Sequence, residues 1–198
     1  MPTVTSAEDI CNLALLELGH SPITTIGEAG KAGELTEIFY GPTRDALLRA
    51  HPWNFAIKRV ALAAASNPGI PFEYDYAFPL PSDFLRLVRT SIEADGFTDG
   101  DWRVEHGTSG SWLVSNDDTV SIEYVARIED VSRYDPLFID CLAKMLAIKM
   151  CMRLADNAAL KKSLSDELRD IAPFARYVDS TDSTPREITG DAWLVARY

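Results

Sequence analysis

Hydrophobic spacing changes period twice along this 198-residue chain, and those two changes limit the folds open to it. Up to Ala50 the apolar residues recur at three- and four-residue intervals, the mark of amphipathic helices. Further on they alternate: Phe72, Tyr74, Tyr76, Phe78 and Leu80 interleave with Glu73, Asp75, Ala77 and Pro79. Val120, Ile122, Tyr124, Ala126 and Ile128 repeat that alternation in the clearest strand of the chain. After Glu129-Asp130 the spacing becomes helical again. A pattern with one period does not settle into the element of the other. The chain is therefore α+β: a helical bundle from its N- and C-terminal parts with an inserted antiparallel sheet.

The first change of period falls just after Arg44-Asp45-Ala46-Leu47-Leu48-Arg49-Ala50-His51-Pro52-Trp53-Asn54-Phe55-Ala56. Ala46, Leu47 and Ala50 are expected on one helix face, with Arg44, Asp45 and Arg49 towards water. Pro52 disfavours a helical His51 and stops the helix there. Trp53 and Phe55, two residues apart, point the same way from an extended segment. A Trp at such a corner brings a large apolar area, which favours a core anchor over a ligand-stacking platform.

Ahead of this corner, Ser6 and Asp9 form a capping box for a first helix through Ile10, Leu13, Ala14 and Leu18, which Gly19 ends. A second helix starts between Gly30 and Gly33. Leu35, Ile38, Phe39, Pro42, Ala46 and Ala50 are its apolar face, with a kink or break at Gly41-Pro42. Ile57 to Leu62 fits helix or strand, and Asn67-Pro68-Gly69 is a turn. Pro79 and Pro81 keep the first aromatic strand out of the middle of a sheet. Phe84 to Ile92 is a second strand, with turns at Asp95-Gly96 and Asp99-Gly100. Trp102 to His106 and Ser111 to Val114 form a hairpin, so a sheet of about five strands is expected. Asp135-Pro136 starts a helix whose apolar face runs from Leu137 to about Leu154. Asp156-Asn157 recaps, and Leu160, Leu164, Leu168 and Ile171 mark an antiparallel partner, bent or ended near Pro173. The resulting division is residues 1–66 with 130–178 as the bundle, 67–129 as the β-rich insertion, and 179–198 as an extended C-terminal tail.

That tail is polar from Asp179 to Asp191, yet ends in Trp193-Leu194-Val195-Ala196-Arg197-Tyr198. An apolar tip beyond a polar linker either docks on its own domain or serves a partner. Trp193, Leu194, Val195, Arg197 and Tyr198 are therefore the candidate partner-binding residues.

Chemistry is sparse. Thirty acidic against 19 basic residues give a formal net charge of −11, which argues against gripping nucleic acid by its phosphates. It does not argue against letting DNA slide past an acidic wall. Cys11, Cys141 and Cys151 sit on apolar helical faces and read as free buried thiols, and His20, His51 and His106 are too scattered for a metal site. No Gly-rich phosphate loop or GxSxG is present. Glu73, Asp75 and Asp83 invite comparison with a glycosidase pair, but a strand with one wet face looks the same. No catalytic residue, cofactor or metal is assigned. No apolar run reaches the roughly 18 residues of a membrane span. The start of the sequence lacks a secretory signal, so the cytosol is the expected place of synthesis.

The order of local motifs goes further. Cys11-Asn12-Leu13-Ala14-Leu15-Leu16-Glu17-Leu18-Gly19-His20-Ser21-Pro22-Ile23, the Arg44 to Ala56 stretch, Leu80-Pro81-Ser82-Asp83-Phe84-Leu85-Arg86-Leu87, Tyr124 to Phe138, and Gly190-Asp191-Ala192-Trp193 follow one another along nearly the whole chain. In that order they resemble the tail tubular protein A family of short-tailed phages. The resemblance implies a structural virion protein of the tail or neck, made in the host bacterial cytoplasm, and not an enzyme. It would be a head-to-tail adaptor, or gatekeeper: a ring, typically of twelve copies, between the portal protein and a tail nozzle of the tail tubular protein B type. Genomic DNA would pass through without specific binding, and no membrane is involved. By the same resemblance the C-terminal segment reaches the portal or a neighbouring subunit, Trp193 and Leu194 fill a pocket there, and Arg197 pairs with a rim carboxylate. A tail-associated cell-wall hydrolase and a non-phage interaction module are the two rival readings.

Overall fold

The structure, a computed structural model, describes residues 4–65, 73–92, 102–107 and 110–182. Among these the chain forms two compact units. The helical unit holds the residues up to 56 and from 127 onward; the β unit holds 57–126.

The helical unit contains α1 (Ala7–Glu17), α2 (Lys31–Ala50), α3 (Pro136–Leu154) and α4 (Ala158–Thr181). Ser6 Oγ accepts from the Asp9 N–H at 3.1 Å and Asp9 returns a bond to the Ser6 N–H at 3.0 Å, so the expected capping box opens α1. Gly19, at φ 67°, ends it. There the His20 N–H bonds back to the Leu15 carbonyl and the Gly19 N–H to Leu16. In the first turn of α2, Gly33 is forced by space: a Cβ there would lie 2.1 Å from the Glu28 carbonyl oxygen. Asp135 caps α3 through the Leu137 and Phe138 N–H groups, with Pro136 at the first helical position.

Helix α3 is central. It is apolar all round, with Phe138, Leu142, Leu146 and Met150 fully buried, and α1, α2 and α4 all pack against it. Lys144 ties three of these helices together, reaching Glu17 on α1 at 3.2 Å and Glu167 on α4 at 3.0 Å. Burial works against its charge, but the two carboxylates outweigh that and raise its pKa.

Neither proline ends its helix. Pro42 lies inside an unbroken α2, and Pro173 inside an α4 that continues to Thr181. Each proline removes a donor from the carbonyl four residues earlier, on Ile38 and Arg169 respectively. Both of those residues are exposed, so water can take the bond.

Among the described residues the β unit has six strands: β1 (Ile57–Leu62), β2 (Tyr76–Pro79), β3 (Phe84–Thr90), β4 (Trp102–Gly107), β5 (Gly110–Ser115) and β6 (Val120–Ala126). They form two antiparallel three-stranded sheets, ordered β1-β6-β3 and β2-β5-β4, rather than one sheet of about five. The undecided stretch after Ala56 is β1, paired with β6 from Ile57↔Val125 to Leu62↔Val120. That pairing moves the unit boundaries to 56/57 and 126/127, away from 66/67 and 129/130. Pro79 explains the split: without an N–H, β2 serves only as an edge beside β5, and the chain leaves for β6 through β3. The long aromatic alternation is also cut short, because Glu73 adopts φ 78° ahead of the strand. Within β2, Ala77 and Phe78 are buried while Tyr76 faces water. Phe72, the Asn67-Pro68-Gly69 turn and the two Asp-Gly turns lie outside the described residues.

Candidate functional site

The corner after α2 is built as its residues demand. His51 is extended, as a residue before proline prefers. Trp53 follows at 1% exposure, and its indole N–H donates to the Leu47 carbonyl at 3.1 Å. That bond satisfies one of the carbonyls left open at the end of α2. A short 3-10 turn, Asn54–Ala56, replaces the expected extended segment. Trp53 and Phe55 still share a direction: Phe138 of α3 meets them with ring centroids 5.2 and 5.1 Å away. Tyr134 closes the cluster 4.9 Å from Phe138.

Asp179 completes this corner and was assigned by its sequence to the polar tail. It is instead a buried residue in the last turn of α4. Its carboxylate lies 3.0 Å from His51 Nε2 and accepts from the Asn54 N–H at 3.0 Å, while its carbonyl accepts from the Asn54 side chain. The i, i+4 series Leu164, Leu168, with Ile171 and Ala175 after it, runs through Pro173 to Asp179, and was the available signal. The result is a fixed root, close in sequence to the C-terminal segment. The residues predicted to bind a partner, Trp193, Leu194, Val195, Arg197 and Tyr198, lie outside the described residues.

The second corrected expectation concerns α2. Its interior face is Ala32, Gly33, Thr36, Tyr40, Thr43, Arg44, Leu47 and Leu48. The face expected inside points outward: Ile38 is 60% exposed, Pro42, Ala46 and Ala50 are exposed, and Leu35 and Phe39 are half-buried. Arg44, expected in water, is buried instead. The inner face escaped notice because it is partly polar, and all its polar side chains but the Tyr40 hydroxyl have partners. Thr36 Oγ1 donates to the Gly33 carbonyl at 2.8 Å and Lys149 Nζ donates to Thr43 Oγ1 at 2.8 Å. Arg44 pairs with Asp45 at 2.9 Å, and Arg127 holds the other Asp45 oxygen at 2.8 Å. Helix α4 likewise exposes Phe174 and Tyr177, one turn apart, at 56% and 66%. Helix α1 exposes Leu13 and Leu16.

Among the described residues, the carboxylates of the β unit that the sequence singled out have structural partners or face water. Asp83 receives Lys58 Nζ at 2.6 Å and the Tyr124 hydroxyl at 3.0 Å. Burial would raise its pKa, but these bonds prevail and hold it below the ordinary carboxylate value. Burial and the same bond push Tyr124 up to about 12. An aspartate so depressed is poorly suited to donating a proton near neutrality. Glu73 and Asp75 are exposed, with the Asp75 N–H on Asn116 Oδ1. On the outer face of the first sheet, Glu123 sits between Arg89 at 2.7 Å and Arg59 at 3.4 Å, lining a cleft of about 410 Å³ with Ser91 and Ser121.

The three cysteines are free and buried. Burial pushes Cys11 up to about 12 and Cys141 up to about 11, so neither is an activated thiolate. Among the described residues there is no group of three metal-ligating side chains, and no helix is long and apolar enough to cross a membrane.

No family model and no curated protein matches the chain. The candidate site is thus defined by its own geometry: outward apolar helix faces and a fastened root for the C-terminal segment.

Proposed function

We propose that this chain is a structural virion protein of a short-tailed phage. In this reading it is an adaptor that forms a ring between portal and tail nozzle and surrounds the path of the genomic DNA. The observation that carries the reading is the order of five local motifs along nearly the whole sequence. Three of them coincide with places on which the fold depends: the left-handed Gly19, the His51-Pro52-Trp53 corner and the Asp135 cap. Outward apolar faces on α1, α2 and α4 add support, because such faces are what an assembling subunit needs. A net charge of −11 suits a wall past which DNA slides. The reading assigns no catalytic residue, cofactor or metal, and gives the C-terminal Trp193 and Leu194 to the portal or a neighbouring copy.

Light scattering of the chain, alone and mixed with the portal ring of its own phage, tests this. The expected outcome is a mass gain of about twelve chains per portal ring, lost when residues 190–198 are deleted while circular dichroism stays unchanged. A chain that binds no portal ring at any salt concentration sinks the adaptor reading and leaves the interaction module.

A further inference from the structure

Helix α2 packs a partly polar face on α3 and turns an apolar one outward. A lone exposed isoleucine is ordinary on a protein surface. A stripe of Leu35, Ile38, Phe39, Pro42, Ala46 and Ala50 along a whole helix is not. The exposed Phe174 and Tyr177 on α4 form a second, smaller face. We propose that these two faces meet between copies: the outer face of α2 on one chain receives Phe174 and Tyr177 of a second copy, in a head-to-tail contact.

Two observations select this occupant. First, α2 and α4 both pack against α3 but scarcely touch each other, so a chain cannot cover its own α2 stripe with its own α4 aromatics. Both faces are then used by every copy, and the contact is heterologous, which propagates into a ring or a filament. Second, the charges around the two faces are complementary. Lys31 and Arg49 lie on the α2 stripe near its two ends, and Asp170 lies on the α4 face one turn before Phe174. In a chain of net charge −11, copies otherwise repel, so local complementarity of this kind sets where they meet. A symmetric antiparallel α2–α2 contact would instead bring Lys31 towards Arg49 of the other copy, like charge on like. The inference deepens the adaptor reading by naming a subunit contact, and rests on it only for closure into a ring.

Sedimentation velocity over a concentration series reads the contact in the full chain. Ile38→Glu and Tyr177→Glu each weaken association about tenfold or more, with circular dichroism unchanged. Reversing Asp170→Lys also weakens it, and combining that with Lys31→Glu restores part of the loss. Cysteine pairing gives the direction of the contact, since the native thiols are buried. A bismaleimide joins Ile38→Cys protein to Tyr177→Cys protein when the two are mixed, and joins neither to itself. A chain that is monomeric throughout, association indifferent to both glutamates, or equal cross-linking of each variant with itself overturns the proposal. So does an Ile38→Cys thiol that reacts only after residues 183–198 are removed, because the chain's own tail would then be the occupant. Portal binding with association unaffected by these changes would keep the adaptor reading and reject this contact. Association through these faces without portal binding would do the reverse.

Discussion

Among the described residues the two units differ in whether they bury charged side chains. In the β unit apolarity locates the interior: Val120, Ile122, Phe78 and Leu113 are buried, while Arg59, Arg89 and Glu123 form a row on the outer face of a sheet. In the helical unit it does so only in part. Thr36, Thr43, Arg44, Lys144 and Asp179 are buried, while Ile38, Phe174 and Tyr177 face water. A strand has only two faces, so its alternating pattern has one inside. A helix packed against one neighbour can carry an apolar stripe on either side, and packing decides which is covered. Polar groups become part of an interior once each has a partner, as Asp179 has in His51 and Asn54.

Substitutions in the two units differ in the size of their expected effects. The largest effect belongs to the aromatic cluster. Phe138→Ala empties the space between Trp53, Phe55 and Tyr134, and should lower unfolding free energy by about 3–5 kcal/mol in urea titration. Asp179→Ala comes next. It leaves the Asn54 N–H and the His51 ring without their acceptor and should cost about 1–3 kcal/mol. If Asp179→Ala is neutral by the same titration, buried polarity in the helical unit contributes nothing and the contrast with the β unit disappears.

Acid titration reaches the β unit. The folded-state pKa of Asp83 lies below its ordinary 3.8, so its contribution is fully present above that value and is lost as pH falls through the lower, folded one. Unfolding midpoints followed below about pH 4 should fall less steeply in Asp83→Asn than in the parent chain. Equal slopes would mean that the Lys58 pairing has no net effect on folding. The smallest effect is expected at Ile38. Ile38→Thr should change stability by no more than about 0.5 kcal/mol, although Ile38 belongs to the face that sequence spacing placed inside. A loss of several kcal/mol there would show that the stripe is core after all.

Much of the architecture was legible because it rests on local chemistry. Ser6 with Asp9, Gly19, Asp135-Pro136 and Asp156-Asn157 mark helix ends through bonds made within a few residues. The hairpin of β4 and β5 and the strand β6 announced themselves by alternation over adjacent residues. Ile57–Leu62 was ambiguous for the opposite reason: only the distant β6 makes it a strand. The candidate site was harder to read. Asp179 is linked to His51 across 128 residues, and its one local signal is the apolar series Leu164, Leu168, Ile171 and Ala175 on the same helix face.

The sequence by itself determined the kinds of element, their order and most of their ends, because capping, proline geometry and side-chain period act over a handful of neighbours. It also determined that Trp53 would be an anchor, since a large ring at a stopped helix has few other places to go. Only the tertiary structure decided which side of α2 faces α3, that the sheet is two sheets, and that α4 runs past Pro173 to bring Asp179 under His51. Those outcomes depend on partners far away in the chain, and local pattern carries no record of which partner arrives.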